Sequence, residues 1–376
     1  GDYLETAAHL DGMFACDWRF LSNKQKFAAF VAREAKKDTK AADCDPMREL
    51  CDVLQRYYHV IESAYRFYSS TGSGSVFTMQ LNEFSDFTTV AQIVDQSSKT
   101  VNRGQLDTMF IACNFQEDGA GQACDGDDKN SLQRPEFLES VVRLGVAKYG
   151  GGQVVSNVAQ AVSILIQENL QENLPDVALR DRNEFREQRL YFEEVDEILK
   201  AEQDMLKAIY SRFRLPPPMG GRRKKLWVFN SWNQFATQAR LVDGEYTLRH
   251  TGMAFVNSLM GVYNWNTSHE KAESMHYCDF LEALGRVADA FYVPSENELR
   301  RRRYRTVMEY VLEVQADPNK RLEPSPRFKQ QTLAEKLPNF LDYVYRNLFF
   351  DPKNVTKSVA GYSRSAVMSL IKKQDK

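Results

Sequence analysis

The residues best placed to do chemistry lie in the stretch DGDDKNSLQRPE, Asp125–Glu136. Calcium loops of this length take oxygen ligands at positions 1, 3, 5, 7 and 9, a glycine at 6 and a bidentate glutamate at 12. With Glu136 at position 12, Asp125 and Asp127 fall at 1 and 3 and Ser131 at 7, and these are the candidate metal ligands. Leu132 takes position 8, where a short β-bridge to a partner loop would form. Lys129 opposes the reading, because it puts an ammonium at position 5. Asn130 replaces the glycine, and Asn enters left-handed backbone more readily than most residues. Pro135 is tolerated in the first turn of a following helix.

Other chemistry is thinly represented. His9, His59, His250, His269 and His276 show no clustered ligand spacing, although His269 and His276 share one loop. The phosphate-cradling and nucleophile-elbow patterns GxxxxGK[ST], GxGxxG and GxSxG do not occur. Six cysteines at irregular spacing form no CxxC pair, which argues against zinc and reads as reduced thiols. Cys113 and Cys278 sit in apolar helical surroundings and read as core thiols. No set of acid, base and nucleophile assembles, so a non-enzyme without cofactor is expected, with calcium as the alternative. Two basic clusters are candidate partner-binding surfaces. One is Arg222, Arg223, Lys224 and Lys225, inside the loop LPPPMGGRRKK. The other is Arg300, Arg301, Arg302 and Arg303, with Arg305, in LRRRRYRTVMEYVLEV. The second reads as one basic helix continuing through Val307, Met308, Tyr310, Val311 and Leu312, suited to be a calmodulin-type target or IQ-like segment, or equally to contact the acidic surface of a filament such as a microtubule.

The elements that must position these residues are helical. The chain has 376 residues, 43% hydrophobic and 27% charged, with 49 basic against 51 acidic side chains and a net charge of −2. That composition suits a globular protein with a sizeable core and gives no support to bulk nucleic-acid binding. No apolar run is long enough for a membrane span, and GDYLETAAHL lacks the pattern of a secretory leader. Apolar residues recur at spacings of three and four through Met47–Tyr68, Glu136–Val146, Val154–Leu170 and Arg189–Phe213, each read as one helix. Ser156 is the expected cap of the third. The apolar tail segment LPNFLDYVYRNLFF, residues 337–350, is expected to dock against a helical groove in its own chain or a neighbouring one.

An internal repeat organises the middle of the chain. VFTMQLNEFSDFTTVAQIVD, LDTMFIACNF and SLQRPEFLESVVRLG are answered in order by LWVFNSWNQFATQARLVD, TGMAFVNSLM and SMHYCDFLEALGRVA. Asn82-Glu83-Phe84 aligns with Asn233-Gln234-Phe235, and Glu136-Phe137-Leu138-Glu139 with Asp279-Phe280-Leu281-Glu282, at offsets of 151 and 143; Arg143 aligns with Arg286. Each unit reads helix, loop, helix, linker, helix, loop, helix, the layout of a paired EF-hand lobe. The loops before Glu83 and before Gln234 hold no ligand carboxylate, and Ser268–Asp279 has Ala272 and Glu273 at its fifth and sixth positions. Those three are expected to be metal-free.

The blocks NEFSDF, LDTMFIACNF, LQRPEFLESVVRL, FREQRLYFEEVDEILK, LRHTGMAFVNSLM and YCDFLEALGRVAD resemble an EF-hand-like family of flagellated protists, over roughly residues 45 to 292. Its members are similar to calmodulin-type two-lobe proteins and are often associated with the ciliary or flagellar axoneme. The resemblance implies a cytoplasmic, cytoskeletal protein of the cilium or flagellum, with tubulin or other axonemal proteins as partners. The expectation is thus an all-α chain: a helical extension (1–45), an EF-hand-like lobe (46–150), a connecting helix and linker (151–188), a second lobe (189–293) and a helical tail (294–376). Its function would be structural, with a calcium-responsive regulator as the alternative.

Overall fold

Helix starts follow local capping chemistry. Asp45, Asn102 and Asn157 each accept a hydrogen bond from a first-turn backbone N–H, and Pro46 and Pro135 stand in first turns where no N–H is missed. The computed structural model describes residues 4–37, 45–72, 74–114, 130–150, 154–214, 227–243, 245–305 and 307–349. The chain is all-α, mostly helical with a trace of strand, and divides into two units: 1–181 with 260–272, and 182–259 with 273–376. Among the described residues no helix is long and apolar enough to cross a membrane.

The first unit holds α1 (Ala7–Ser22), α2 (Gln25–Ala35), α3 (Pro46–Arg56), α4 (Tyr58–Ser70), α5 (Leu81–Val90), α6 (Arg103–Cys113), α7 (Arg134–Tyr149), α8 (Val158–Ile164) and α9 (Asp176–Leu179). The two-residue strands β1 (Met79–Gln80) and β2 (Ser131–Leu132) pair antiparallel, with Met79 opposite Leu132. One core runs through the unit, with Phe84, Phe87 and Phe137 fully buried. Two expectations are corrected here. The helix expected over Met47–Tyr68 is two helices that break at Tyr57. The helix expected from Ser156 starts at Val158 under an Asn157 cap, and then passes into a π-helical turn over Leu165–Gln171. That turn places Asn169 to donate to the carbonyls of Ala91 and Gln92, at 2.8 and 3.2 Å.

The second unit holds α10 (Arg182–Phe185), which passes into a π-helical turn over Arg186–Leu190, then α11 (Glu193–Ala201), α12 (Gln203–Phe213), α13 (Phe229–Gln238) and α14 (Leu248–Ser258). Helix α15 (Trp265–Ala272) belongs to the first unit. The second resumes with α16 (Tyr277–Ala290), α17 (Glu296–Arg301), α18 (Val307–Ala316), α19 (Pro326–Gln330) and α20 (Leu333–Phe349). Its centre is aromatic: Trp227, Trp232, Phe235, Phe255 and Phe280 are fully buried, and the Trp227 and Phe280 rings lie 4.8 Å apart. The long helix expected over Arg189–Phe213 is broken twice, at Tyr191–Phe192 and at Glu202. The apolar tail docks within its own unit: α20 packs on α16 and α11, burying Leu337, Phe340, Leu341 and Val344.

The two units repeat each other in detail. Each carries a helix pair, a linker and a second helix pair: α3/α4, α5, α6, α7 in one and α11/α12, α13, α14, α16 in the other. Trp227 bridges Met275 as Met79 faces Leu132. Tyr65 donates to the Leu132 carbonyl at 3.1 Å and Tyr210 to that of Met275 at 2.8 Å. Gln92 and Arg240, each just past a second helix, both take positive φ, 53° and 57°. Each is followed by a fully buried aliphatic residue, Ile93 or Leu241. These landmarks correct the alignment of the first block. Met79 to Trp227 and Gln92 to Arg240 are both separations of 148 residues, three fewer than the 151 expected. Ser231, not Gln234, therefore corresponds to Glu83, and Trp232 to Phe84.

Candidate functional site

The loop face of the first repeat is built on the start of α7. Ser131 is fully buried, and its backbone pairs with Gln80. Glu136 is buried at the third position of α7, where its Oε2 accepts from the Gln133 backbone N–H at 2.9 Å. Glu83 does the same for Gln80 on α5, at 3.1 Å, and Asp279 for His276 on α16, at 2.7 Å. The position-12 carboxylates are thus N-terminal caps of their own helices, favoured there by the helix dipole. Glu83 also lies over Gly72, where a Cβ would stand 2.9 Å from its Oε1. Burial raises the pKa of Asp279. Asp125 and Asp127 lie outside the described residues, as do Arg222, Arg223, Lys224 and Lys225.

Arg134, in the first turn of α7, fixes this face from beneath. Its guanidinium grips Asp17 of α1 at 2.6 and 2.9 Å and donates to the carbonyls of Val262 and Tyr263. Tyr58 donates to the same Asp17 at 2.5 Å. Burial opposes the charge on Arg134, but Asp17 outweighs it and holds the guanidinium pKa above its ordinary value. Burial raises the phenols of Tyr58 and Tyr65, which keeps both as donors.

A second constellation went unseen in the sequence. Lys24 is buried, and its ammonium reaches Glu139 of α7 and the Cys113 carbonyl at the end of α6, both at 3.1 Å. Arg143 binds the other oxygen of Glu139 and stacks on Phe30, 4.6 Å from the ring centre. In the second unit Arg186, with a fully buried side chain, grips Glu282 of α16 at 2.9 and 3.1 Å and points at the Ser258 carbonyl at the end of α14. Arg286 binds the same Glu282 and stacks on Phe185 at 4.5 Å. Each repeat thus has a cation from a preceding element that ties its third helix to its fourth. The aligned pairs Glu139/Arg143 and Glu282/Arg286 were the signal available. Lys24 and Arg186 had none, because their surrounding sequences do not correspond.

The second arginine cluster is placed otherwise than expected. α17 ends at Arg301, Arg303 takes φ 67°, and α18 starts at Val307, so the arginines form a helix end and a tight turn. Arg300, Arg301, Arg302 and Arg303 are exposed, and Arg300 pairs with Glu296 on the surface. Cys113 is buried as expected, with its thiol pKa raised by burial, while Cys278 is only half-buried. Among the described residues no three His, Cys, Asp or Glu side chains gather as a ligand set. Comparison with protein-family models, with curated proteins and with solved structures found no match.

Proposed function

We propose that this protein is a non-catalytic interaction protein built on two EF-hand-like lobes that hold their shape largely without metal. Its setting would be the cytoplasm, in a ciliary, flagellar or other cytoskeletal assembly. The single observation that supports the reading is the repeated ionic clamp. Lys24 with Glu139 and Arg186 with Glu282 join the third and fourth helices of each repeat through the protein's own cations. A lobe closed in this way is a constitutive platform rather than a switch. The axonemal setting, with tubulin or other axonemal proteins as partners, rests on the sequence resemblance, and the exposed Arg300, Arg301, Arg302 and Arg303 are the surface offered to an acidic filament.

One observation favours calcium response as a second reading. In the first repeat Leu132 bridges Met79 and Glu136 follows four residues later, the spacing of the second half of a calcium loop. Melting in EGTA and in millimolar calcium, on the wild type and Glu136→Gln, separates the two. A site held at a hundred times its Kd adds about 2.7 kcal/mol. The platform reading expects no shift in either protein, and a shift lost in Glu136→Gln would replace it with a one-site regulator. Replacing Arg300, Arg301, Arg302 and Arg303 by Ala should weaken microtubule co-sedimentation at unchanged melting temperature. Undiminished co-sedimentation removes that surface.

A further inference from the structure

The arginine turn does not stand alone. Arg301, Arg302 and Arg303 line a groove of about 870 Å³ in the second unit, together with Tyr304, Lys320 and Arg321. A second hollow of about 620 Å³ shares its wall at Tyr292, Glu298, Arg301 and Ser325. The cations differ in what they already hold. Lys320 pairs with Glu313, and Arg321 with Asp243. Arg301 faces Glu298. The side chains of Arg302 and Arg303 make no hydrogen bond or ion pair among the described residues. Arg303 also sits in left-handed backbone, where glycine is the residue of least strain. A charged side chain held at a strained position with no partner among the described residues marks a place where stability yields to another requirement.

We propose that this groove binds an acidic, extended peptide segment of a partner protein, with Arg302 and Arg303 taking its carboxylates in bidentate fashion. The inference rests on the interaction-protein reading and specifies the partner's chemistry. Charge complementarity selects an anionic occupant, and guanidinium forks suit carboxylates. The groove is also lined by Glu298, Glu309, Glu313 and Glu323. A nucleic-acid backbone, with a negative charge at every step, would be repelled by them. A peptide can space its acids and offer backbone N–H groups to the glutamates.

The test is fluorescence anisotropy with a short labelled peptide of alternating glutamate and glycine, against the full chain and three variants. Arg303→Gly and Arg302→Glu are the groove variants. Lys207→Glu is the control, since Lys207 is exposed on α12 and lies outside the groove. Saturable, salt-sensitive binding is expected, weakened roughly fivefold by loss of one arginine charge, as for an arginine against an anionic surface. Arg303→Gly should lose affinity while its melting temperature rises, a combination that a purely structural arginine does not produce. An equal loss in Lys207→Glu, equal binding of oligothymidylate, or no peptide binding would each overturn the proposal. Microtubule co-sedimentation of the wild type is read separately, and its absence would count against the wider reading instead.

Discussion

Glu282→Gln tests the ionic clamp most sharply. The substitution keeps shape and removes charge. In the native protein Glu282 accepts from Arg186 at 2.9 and 3.1 Å and from Arg286 at 2.7 and 2.9 Å. The Arg186 side chain is 0% exposed, so without the carboxylate its charge has no water to turn to. Asn183 Oδ1 at 3.1 Å and the Ser258 carbonyl at 3.5 Å satisfy N–H groups but supply no negative charge. Removing one partner of a buried pair costs about 3–5 kcal/mol, whereas replacing both by apolar residues is often neutral. Urea unfolding followed by circular dichroism at neutral pH should therefore show a loss of that size for Glu282→Gln. The double variant Arg186→Met with Glu282→Leu should recover most of it. The corresponding Glu139→Gln should behave alike in the first unit, where Lys24 and Arg143 lose their shared carboxylate. A Glu282→Gln loss below about 1 kcal/mol, the scale of an exposed pair, would refute the reasoning. So would a double variant no more stable than the single one.

Two further outcomes can be checked on the same protein. Gly145→Ala should destabilise the first unit by about 1–3 kcal/mol in urea melts, because it overpacks a close helix crossing: the added Cβ would lie 2.9 Å from Val162 Cα and 3.2 Å from the Ala161 carbonyl of α8. His250 accepts from the Thr247 backbone N–H through Nδ1 at 3.0 Å, and burial lowers its pKa below the ordinary 6.5. The unfolded chain therefore takes up the proton first. The stabilising contribution is complete above pH 6.5 and is lost as pH falls below that value through the folded pKa. His250→Gln, which keeps an acceptor and does not titrate there, should flatten the melting-temperature profile in that window. An unchanged profile would show that the cap is not the titrating element.

What was legible in the sequence was what repeats over short distances. Apolar spacings of three and four announced the helices, because a buried helix face must recur with the helical turn. The duplicated blocks announced two like units, and Leu132 was placed correctly in a loop-to-loop bridge by counting back from Glu136. Spacing failed where two registers satisfy it equally. Phe84 and Phe87, like Trp232 and Phe235, are aromatics three residues apart, so a slip of three residues keeps a ring on the buried face and passes unnoticed. Only the bridge of Trp227 to Met275 and the left-handed turns at Gln92 and Arg240 decide between 148 and 151. The breaks at Tyr57 and Glu202 were invisible as well, since neither residue is a strong helix breaker and the apolar stripe continues across both. The arginine run read as one helix because arginine favours helices; the fold instead ends α17 at Arg301 and turns through left-handed Arg303 before α18 begins at Val307. The clamps belong wholly to the tertiary structure: Lys24 meets Glu139 across 115 residues and Arg186 meets Glu282 across 96. A single cation in a stretch without a matching counterpart has no periodicity to betray it, and only folding, which removes water from the charge and brings a carboxylate to it, gives the residue its role.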